Sequence, residues 1–183
     1  MPTAIQQVPL KTITGEDASL QDYAGKVLLV VNVASKCGLT PQYEALEKLY
    51  ADRRDDGLVV LGFPANDFGA QEPGANAEIQ DFCRSTFGVD FPMFAKIAVT
   101  GPDTHPLYKA LIEAHPKATS TSDTDFRAAL RGYGMTPNPE PGILWNFEKF
   151  VVGKDGEVVA RFAPDTKPDD PAVLAAIDKA LAA

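Results

Sequence analysis

The stretch Lys26-Val-Leu-Leu-Val-Val-Asn-Val33 decides how the chain is expected to fold. Its residues are apolar on both alternating faces, a pattern typical of a strand that is covered on both sides of a sheet. Thr40 and Pro41 follow as a helix N-cap and first helical residue, and apolar residues at helical spacing continue until Gly57. A second apolar run, Leu58-Val-Val-Leu61, leads to Phe63-Pro64. This order of strand, helix and strand predicts a right-handed βαβ unit.

Helical and extended patterns alternate along the rest of the chain. Asn76 is a candidate N-cap for a helix with an apolar stripe of Ile79, Phe82, Cys83 and Phe87. The other predicted elements are a small hairpin involving residues 7–10 and Leu20, an extended segment at 92–97, a helix from Pro106, strands at 143–152 and 157–162 joined by a turn at 153–156, and a C-terminal helix from Pro171. Residues 115–142 are predicted as a long loop with one helical turn near 126–130. The sum is an α/β protein with a mixed central β-sheet and helices on both faces.

Composition narrows the class of protein. The 183 residues are 45% apolar and 23% charged, which predicts a single globular domain over 1–183. The net charge of -8 makes nucleic acid and membrane surfaces poor partners. No N-terminal signal pattern precedes the first predicted element, and the chain has only two cysteines. We therefore expect a cytoplasmic protein in which any cysteine chemistry is catalytic rather than structural.

Cys37 is the first candidate for chemistry. It lies between the end of the predicted central strand and the following helix, where ligands of open α/β sheets bind. A helix N-terminus and the neighbouring Lys36 would both stabilise a thiolate. The alternative is a small buried hydrophobe, as most free cysteines are, and the residues alone leave the two interpretations about equal. Cys83, in the apolar stripe of its helix, is on its own most simply a core residue.

Other common kinds of site find no support in the sequence. There is no Cys-x-x-Cys, which argues against an ordinary disulfide reductase, and no nucleotide-binding or zinc-protease motif. His105 and His115 both precede proline and have no cysteine or histidine neighbours at ligand spacing, so a metal site is not expected.

Three ordered blocks resemble the signature blocks of the glutathione peroxidase family in its cysteine-containing bacterial form. They are Asn32-Val-Ala-Ser-Lys-Cys-Gly-Leu-Thr-Pro-Gln-Tyr43, Leu61-Gly-Phe-Pro64 with Gln71-Glu-Pro-Gly74, and Trp145-Asn-Phe-Glu-Lys-Phe150. The resemblance covers about residues 20–180. It implies a thioredoxin-like fold and a catalytic tetrad of Cys37 with Gln71, Trp145 and Asn146, and no cofactor. The side-chain amides and the indole N–H are neutral donors that can stabilise a thiolate and a departing hydroxide.

Departures from the family pattern concern the reductant. Many thiol members carry a third cysteine where this chain has Ala65, and Asp67 replaces the usual glutamine. Cys83 falls at the position of the resolving cysteine of the thioredoxin-dependent members. Glutathione-using members share clusters of arginines near the end of the chain, whereas this chain has only the isolated Arg161 there. The resemblance therefore implies thioredoxin as the reductant and glutathione as a weaker one.

The expected reaction is that of a thiol peroxidase. The Cys37 thiolate attacks a hydroperoxide and becomes a sulfenic acid, which Cys83 condenses into an intramolecular disulfide that thioredoxin reduces. Because a disulfide requires Cβ atoms about 4 Å apart, we expect the helix around Phe82 to open locally during turnover. The runner-up is a peroxide sensor that passes a disulfide from Cys37 to a partner protein, and a non-catalytic thioredoxin-fold binding protein ranks third. The sequence leaves open the preferred hydroperoxide and whether the protein is a monomer or a homo-oligomer.

Overall fold

The computed structural model describes residues 1–183. Its strands are β1 (Leu10–Lys11), β2 (Asp17–Ala18), β3 (Val27–Val33), β4 (Leu58–Pro64), β5 (Lys149–Val152) and β6 (Val158–Phe162). Its helices are α1 (Ala4–Gln7), α2 (Gln42–Arg53), α3 (Asn76–Phe87), α4 (Pro106–Ala114), α5 (Phe126–Gly132) and α6 (Pro171–Ala182), with 3-10 turns at Leu20–Tyr23 and Arg54–Asp56. No helix is long and apolar enough to cross a membrane.

A four-stranded mixed sheet in the order β4-β3-β5-β6 organises the molecule. Strands β3 and β4 are parallel, with Val27 opposite Leu58, and α2 connects them. Strand β5 runs antiparallel to β3, and β6 antiparallel to β5. All seven residues of β3 are buried, as predicted for a central strand that is covered on both faces. The mixed sheet and the βαβ unit of the sequence prediction are therefore confirmed.

Helices cover both faces of the sheet. The position of Gly62 in β4 faces Phe91, whose ring contacts the α2 side chains Tyr43 and Tyr50. The next residue, Phe63, points to the opposite face and packs edge-on against Tyr108 of α4. Since successive strand residues alternate between faces, α2 and α4 lie on opposite sides. Helix α6 lies beside α2, to which it is joined by an ion pair between Arg53 and Asp178.

Some predicted elements have different bounds in the structure. The strand predicted at 143–152 begins only at Lys149, because the preceding residues form a turn in which Phe147 has a φ of 69°. Residues 92–97 form only isolated bridges, and the N-terminal hairpin consists of β1 and β2. Gln7 instead ends α1, and Leu20 begins a 3-10 turn. The loop predicted at 115–142 contains α5, which is slightly longer than the single turn expected.

The two predicted N-caps were wrong, since both side chains have other partners. Helix α2 begins at Gln42, and the hydroxyl of Thr40 makes hydrogen bonds to the backbone of Cys37 and Ala34 in the preceding loop. Helix α3 begins at Asn76, whose side-chain oxygen accepts from the backbone N–H of Lys96. The N-terminal cap contact of α3 comes from Glu78, which accepts from the N–H of Ala75.

Candidate functional site

Cys37 lies in a tight loop between β3 and α2. The hydroxyl of Thr40 accepts from the Cys37 N–H at 2.9 Å and donates to the carbonyl of Ala34 at 2.8 Å, so one side chain closes the loop. The Cys37 sulfur accepts from the Leu39 N–H at 3.3 Å. This bond orients Sγ, and its backbone N–H can stabilise a negative charge on the sulfur. The residue is 8% exposed, so it is covered but lies close to the surface.

Gln71 reaches the same place from the loop after β4. Gly69 and Ala70, with φ values of 65° and 51°, turn that loop back toward Cys37. The carbonyl of Gln71 accepts from the Lys36 N–H at 3.0 Å and thereby ties the two loops together. Its side-chain oxygen accepts from Nδ2 of Asn146 at 3.0 Å.

The two departures from the family pattern have defined places near this loop. The carboxylate of Asp67 accepts from the Val99 N–H at 2.7 Å and so supports the loop. Ala65 is 1% exposed, and its N–H donates to the carbonyl of Val33 at 3.1 Å. Ala65 is thus a core residue that extends the pairing of β3 and β4.

Trp145 and Asn146 are presented by the turn before β5. Asn32, the one polar residue of β3, donates from Nδ2 to the Trp145 carbonyl at 3.1 Å and accepts at its own carbonyl from the Phe147 N–H at 2.6 Å. The Trp145 ring packs against Phe68, with centroids 5.4 Å apart. Both turn residues are buried, Asn146 completely.

Three of the predicted site residues line one cavity. Cys37, Gln71 and Trp145 face a space of about 590 Å³, and Asn146 is joined to it through its bond to Gln71. The structure therefore brings all four residues of the predicted tetrad together. The other lining is mostly apolar and includes a set from α5 and the residues just after it: Phe126, Ala129, Leu130, Tyr133 and Met135.

This apolar wall was missed in the sequence. Phe126, Ala129, Leu130 and Tyr133 recur at spacings of three and four, the pattern of one helix face. Together with the helical turn predicted near 126–130, that spacing could have identified an apolar helix face inside the long loop. It could not have shown that the helix lies over Cys37.

Cys83 is not among the residues that line the cavity with Cys37. It lies in α3, is 1% exposed, and both cysteines are free thiols. Burial raises the pKa of the Cys83 thiol to about 11, against the opposing effect of the Tyr43 hydroxyl beside it and with a smaller contribution from the Glu72 carboxylate. The Tyr43 hydroxyl has no hydrogen bond of standard geometry, so the Tyr43–Cys83 contact is loose. In this conformation the Cys83 thiol is protonated at neutral pH and shielded.

Arg161 is fully engaged inside the protein. It is 2% exposed and pairs with the buried carboxylate of Glu148. It also donates to the carbonyls of His115 and Gly142, which flank the segment that contains α5. Arg161 therefore anchors the wall of the cavity and is not free to bind the carboxylates of a ligand. No group of three or more His, Cys, Asp or Glu side chains is arranged to hold a metal ion.

The fold and the site together define a class of protein, a thioredoxin-like fold with a single thiol at the carboxyl end of its central strand. A thioredoxin family thiol:disulfide interchange protein from Chlorobium tepidum TLS superimposes with a TM-score of 0.54 at 19% identity, over 99% of this chain and 97% of that one, which shows the shared fold. The crystal structure of Trgpx in apo form superimposes with a TM-score of 0.70 at 35% identity, over 98% of this chain and 97% of that chain.

Comparison of sequences defines the family. The family model described as "Glutathione peroxidase" matches residues 5–112. "Thioredoxin/glutathione peroxidase BtuE" of Escherichia coli strain K12 is 51% identical over 100% of both chains. "Hydroperoxy fatty acid reductase gpx1" of Synechocystis sp. strain PCC 6803 is 44% identical over 92% of this chain and 90% of its own. The chain belongs to the glutathione peroxidase family, and the protein is a peroxidase.

Proposed function

We propose that the protein is a thiol peroxidase in which Cys37 reduces hydrogen peroxide and organic hydroperoxides. The observation that carries this proposal is the convergence of Cys37, Gln71 and Trp145 on one cavity, with Asn146 bonded to Gln71. The Cys37 thiolate attacks the terminal peroxide oxygen, the O–O bond breaks, and the other oxygen leaves as water or alcohol after taking up a proton. The sulfur is thereby oxidised to a sulfenic acid.

The polar members of the site stabilise the charges that shift in this step. Because the Gln71 side-chain oxygen already accepts from Asn146, its Nε2 group is the part left to donate into the cavity. The Trp145 indole offers a second neutral donor at the cavity wall. Neutral donors stabilise a departing hydroxide or alkoxide without forming an ion pair that holds the thiolate inactive.

The cavity supports organic hydroperoxides as substrates beside hydrogen peroxide. Its volume of about 590 Å³ far exceeds what hydrogen peroxide needs and lies in the range of small-molecule sites. Leu39, Leu130 and Met135 give it an apolar lining that an aliphatic tail can occupy. The name of the Synechocystis relative, a hydroperoxy fatty acid reductase, agrees with this substrate class.

Cys83 is proposed as the resolving cysteine. Its thiolate attacks the sulfenic sulfur of Cys37, water leaves, and an intramolecular disulfide forms. The burial and raised pKa of Cys83 mean that the thiol is unreactive while α3 is intact. Residues 76–88 therefore open locally before the disulfide closes.

Thioredoxin is proposed as the reductant, through exchange of its dithiol for the Cys37–Cys83 disulfide. The name of the Escherichia coli relative includes thioredoxin. Arg161 donates to the carbonyls of His115 and Gly142 and is therefore a poor site for the carboxylates of glutathione, which makes glutathione the weaker reductant. Such a cycle suits a single-domain protein in the cytoplasm, where thioredoxin is kept reduced.

Turnover with variants tests the proposal. NADPH consumption is followed with thioredoxin, thioredoxin reductase and either hydrogen peroxide or a fatty acid hydroperoxide. Cys37→Ser should abolish consumption, whereas Cys83→Ser should allow oxidation of Cys37 but stop thioredoxin-driven cycling. Many turnovers support an enzyme. Consumption that stops after one equivalent, with a mixed disulfide to a partner protein, would instead indicate the sensor.

A further inference from the structure

Two consecutive charged side chains hold the turn that carries Trp145 and Asn146. At its start, the Leu144 N–H donates to Oε1 of Glu148 at 2.9 Å. At its end, Nζ of Lys149 donates to the Phe147 carbonyl at 2.6 Å and to the Pro164 carbonyl at 3.1 Å. Both charged residues are 0% exposed. Glu148 and Lys149 thus hold the backbone on both sides of Trp145 and Asn146.

The turn needs such support because Phe147 is held in the left-handed region. Its φ of 69° is unfavourable for a residue with a bulky side chain, so the surrounding contacts must maintain it. The Phe147 N–H bonds to the carbonyl of Asn32, and its own carbonyl bonds to Lys149. Without the Lys149 donor, the peptide group after Phe147 would be free to rotate toward an extended conformation. Asn146 would then move relative to Gln71.

Packing alone does not account for a lysine at this position. Glu148 pairs with Arg161, whereas Lys149 makes no salt bridge and gives its protons to backbone carbonyls. Burial lowers the pKa of Lys149 to about 7, and the attraction of Glu148 and Asp165 only partly offsets that cost. An apolar side chain of similar length would fill the same space without this penalty.

We propose that Lys149 is a positioning residue of the peroxidase site, whose Nζ group holds the Phe147 carbonyl so that Trp145 lines the cavity beside Cys37 and Asn146 stays bonded to Gln71. This inference rests on the roles proposed above for Trp145 and Asn146. Lys149 touches neither substrate nor sulfur and acts through the backbone of the turn.

Lys149→Met tests the inference, with Lys154→Met as the matched control on the same hairpin. Lys154 bonds to the carbonyls of Leu181 and Ala183 at the C-terminus, away from the site. The rate at which hydrogen peroxide oxidises Cys37 is measured by quenched-flow thiol titration in a Cys83→Ser background. Lys149→Met should slow this step by about 10- to 100-fold, and Lys154→Met should leave it unchanged.

Fluorescence separates positioning from a general structural effect, because Trp145 is the only tryptophan of the chain. In Lys149→Met the emission of Trp145 should shift to the red, and its indole should become more accessible to quenching by acrylamide. The far-ultraviolet circular dichroism should stay native. Lys149→Gln, which restores an N–H donor on a shorter chain, should recover part of the rate. A Lys149→Met protein that keeps the wild-type rate and emission overturns the proposal. So does failure of both variants to fold, since the role would then be global stability.

A Trp145→Phe variant distinguishes this inference from the proposed function beneath it. If Trp145→Phe slows the oxidation of Cys37 but Lys149→Met does not, only the role of Lys149 is wrong. If neither Trp145→Phe nor Asn146→Ala changes the rate, the proposed function of the turn is wrong, and the role of Lys149 falls with it.

Discussion

Replacing Gly88 by alanine should accelerate formation of the Cys37–Cys83 disulfide without changing the rate at which peroxide oxidises Cys37. Gly88 ends α3 in the left-handed region, with a φ of 61°. Its N–H donates to the Arg84 carbonyl, and the following Val89 N–H donates to the carbonyl of Cys83 itself. The cap therefore holds the turn of helix that buries Cys83, the proposed resolving cysteine.

The size of the effect follows from the geometry at Gly88. A Cβ added there meets nothing within 4 Å, so the only cost of alanine is the left-handed backbone, about 1 kcal/mol. The cost disappears when α3 opens, because the residue then adopts an ordinary conformation. If opening precedes attack as a rapid equilibrium, the open population and the resolution rate rise about fivefold.

The assay is stopped-flow oxidation with one equivalent of hydrogen peroxide, followed by acid quenching and mass analysis of the sulfenic acid and the disulfide. Gly25→Ala is the matched control, since Gly25 also has a positive φ, 82°, and open space around it, but lies outside α3. It should leave both steps unchanged. Equal disulfide rates in Gly88→Ala and Gly25→Ala would refute the requirement for local opening of α3.

Three further outcomes follow from the site. Asn146→Ala removes the hydrogen bond that orients the Gln71 amide, so it should slow the oxidation of Cys37 by about 10- to 100-fold in stopped-flow measurements. Unchanged kinetics would show that Asn146 has no part in the mechanism. Leu130→Asp puts a charge in the apolar wall of the cavity, so the KM for a fatty acid hydroperoxide should rise about tenfold or more while the reaction with hydrogen peroxide is retained. Equal effects on both substrates would contradict the proposal that the aliphatic tail binds in this cavity. Because burial raises the pKa of Cys83 from 9.0 to about 11, the native state keeps this proton to a higher pH than the unfolded chain does. The free energy of unfolding should therefore fall as pH rises from 9 to 11, and denaturant titrations of Cys83→Ser should show a smaller fall; identical slopes would mean that the thiol is not buried in solution.

Local patterns sufficed for the elements whose burial follows from their own sequence. The run at β3 is apolar on both faces, and α3 and α6 carry regular apolar stripes, so their type and approximate bounds could be predicted. Residues 143–148 misled the prediction because they are as apolar as a strand. They are buried as a turn that is held by Asn32, Glu148 and Lys149, and these contacts are not visible in a local pattern.

The candidate site divides in the same way. The residues of the predicted tetrad lie in short blocks that could be recognised, and the structure brings Cys37, Gln71 and Trp145 to one cavity. The position of α5 over Cys37 depends on the anchoring of its flanking residues by Arg161, which is a tertiary contact. The isolated arginine that sequence alone linked to the question of glutathione binding is in fact part of this anchor.

Peptide mapping after a single oxidation shows directly whether Cys83 resolves the sulfenic acid of Cys37. The reduced protein is treated with one equivalent of hydrogen peroxide, its intact mass and peptides are analysed, and thioredoxin with its reductase and NADPH is then added. We expect a mass loss of two hydrogens, a disulfide that joins the Cys37 and Cys83 peptides, and its reversal by thioredoxin. A product in which Cys37 stops at sulfenic or sulfinic acid while Cys83 remains a free thiol would contradict it.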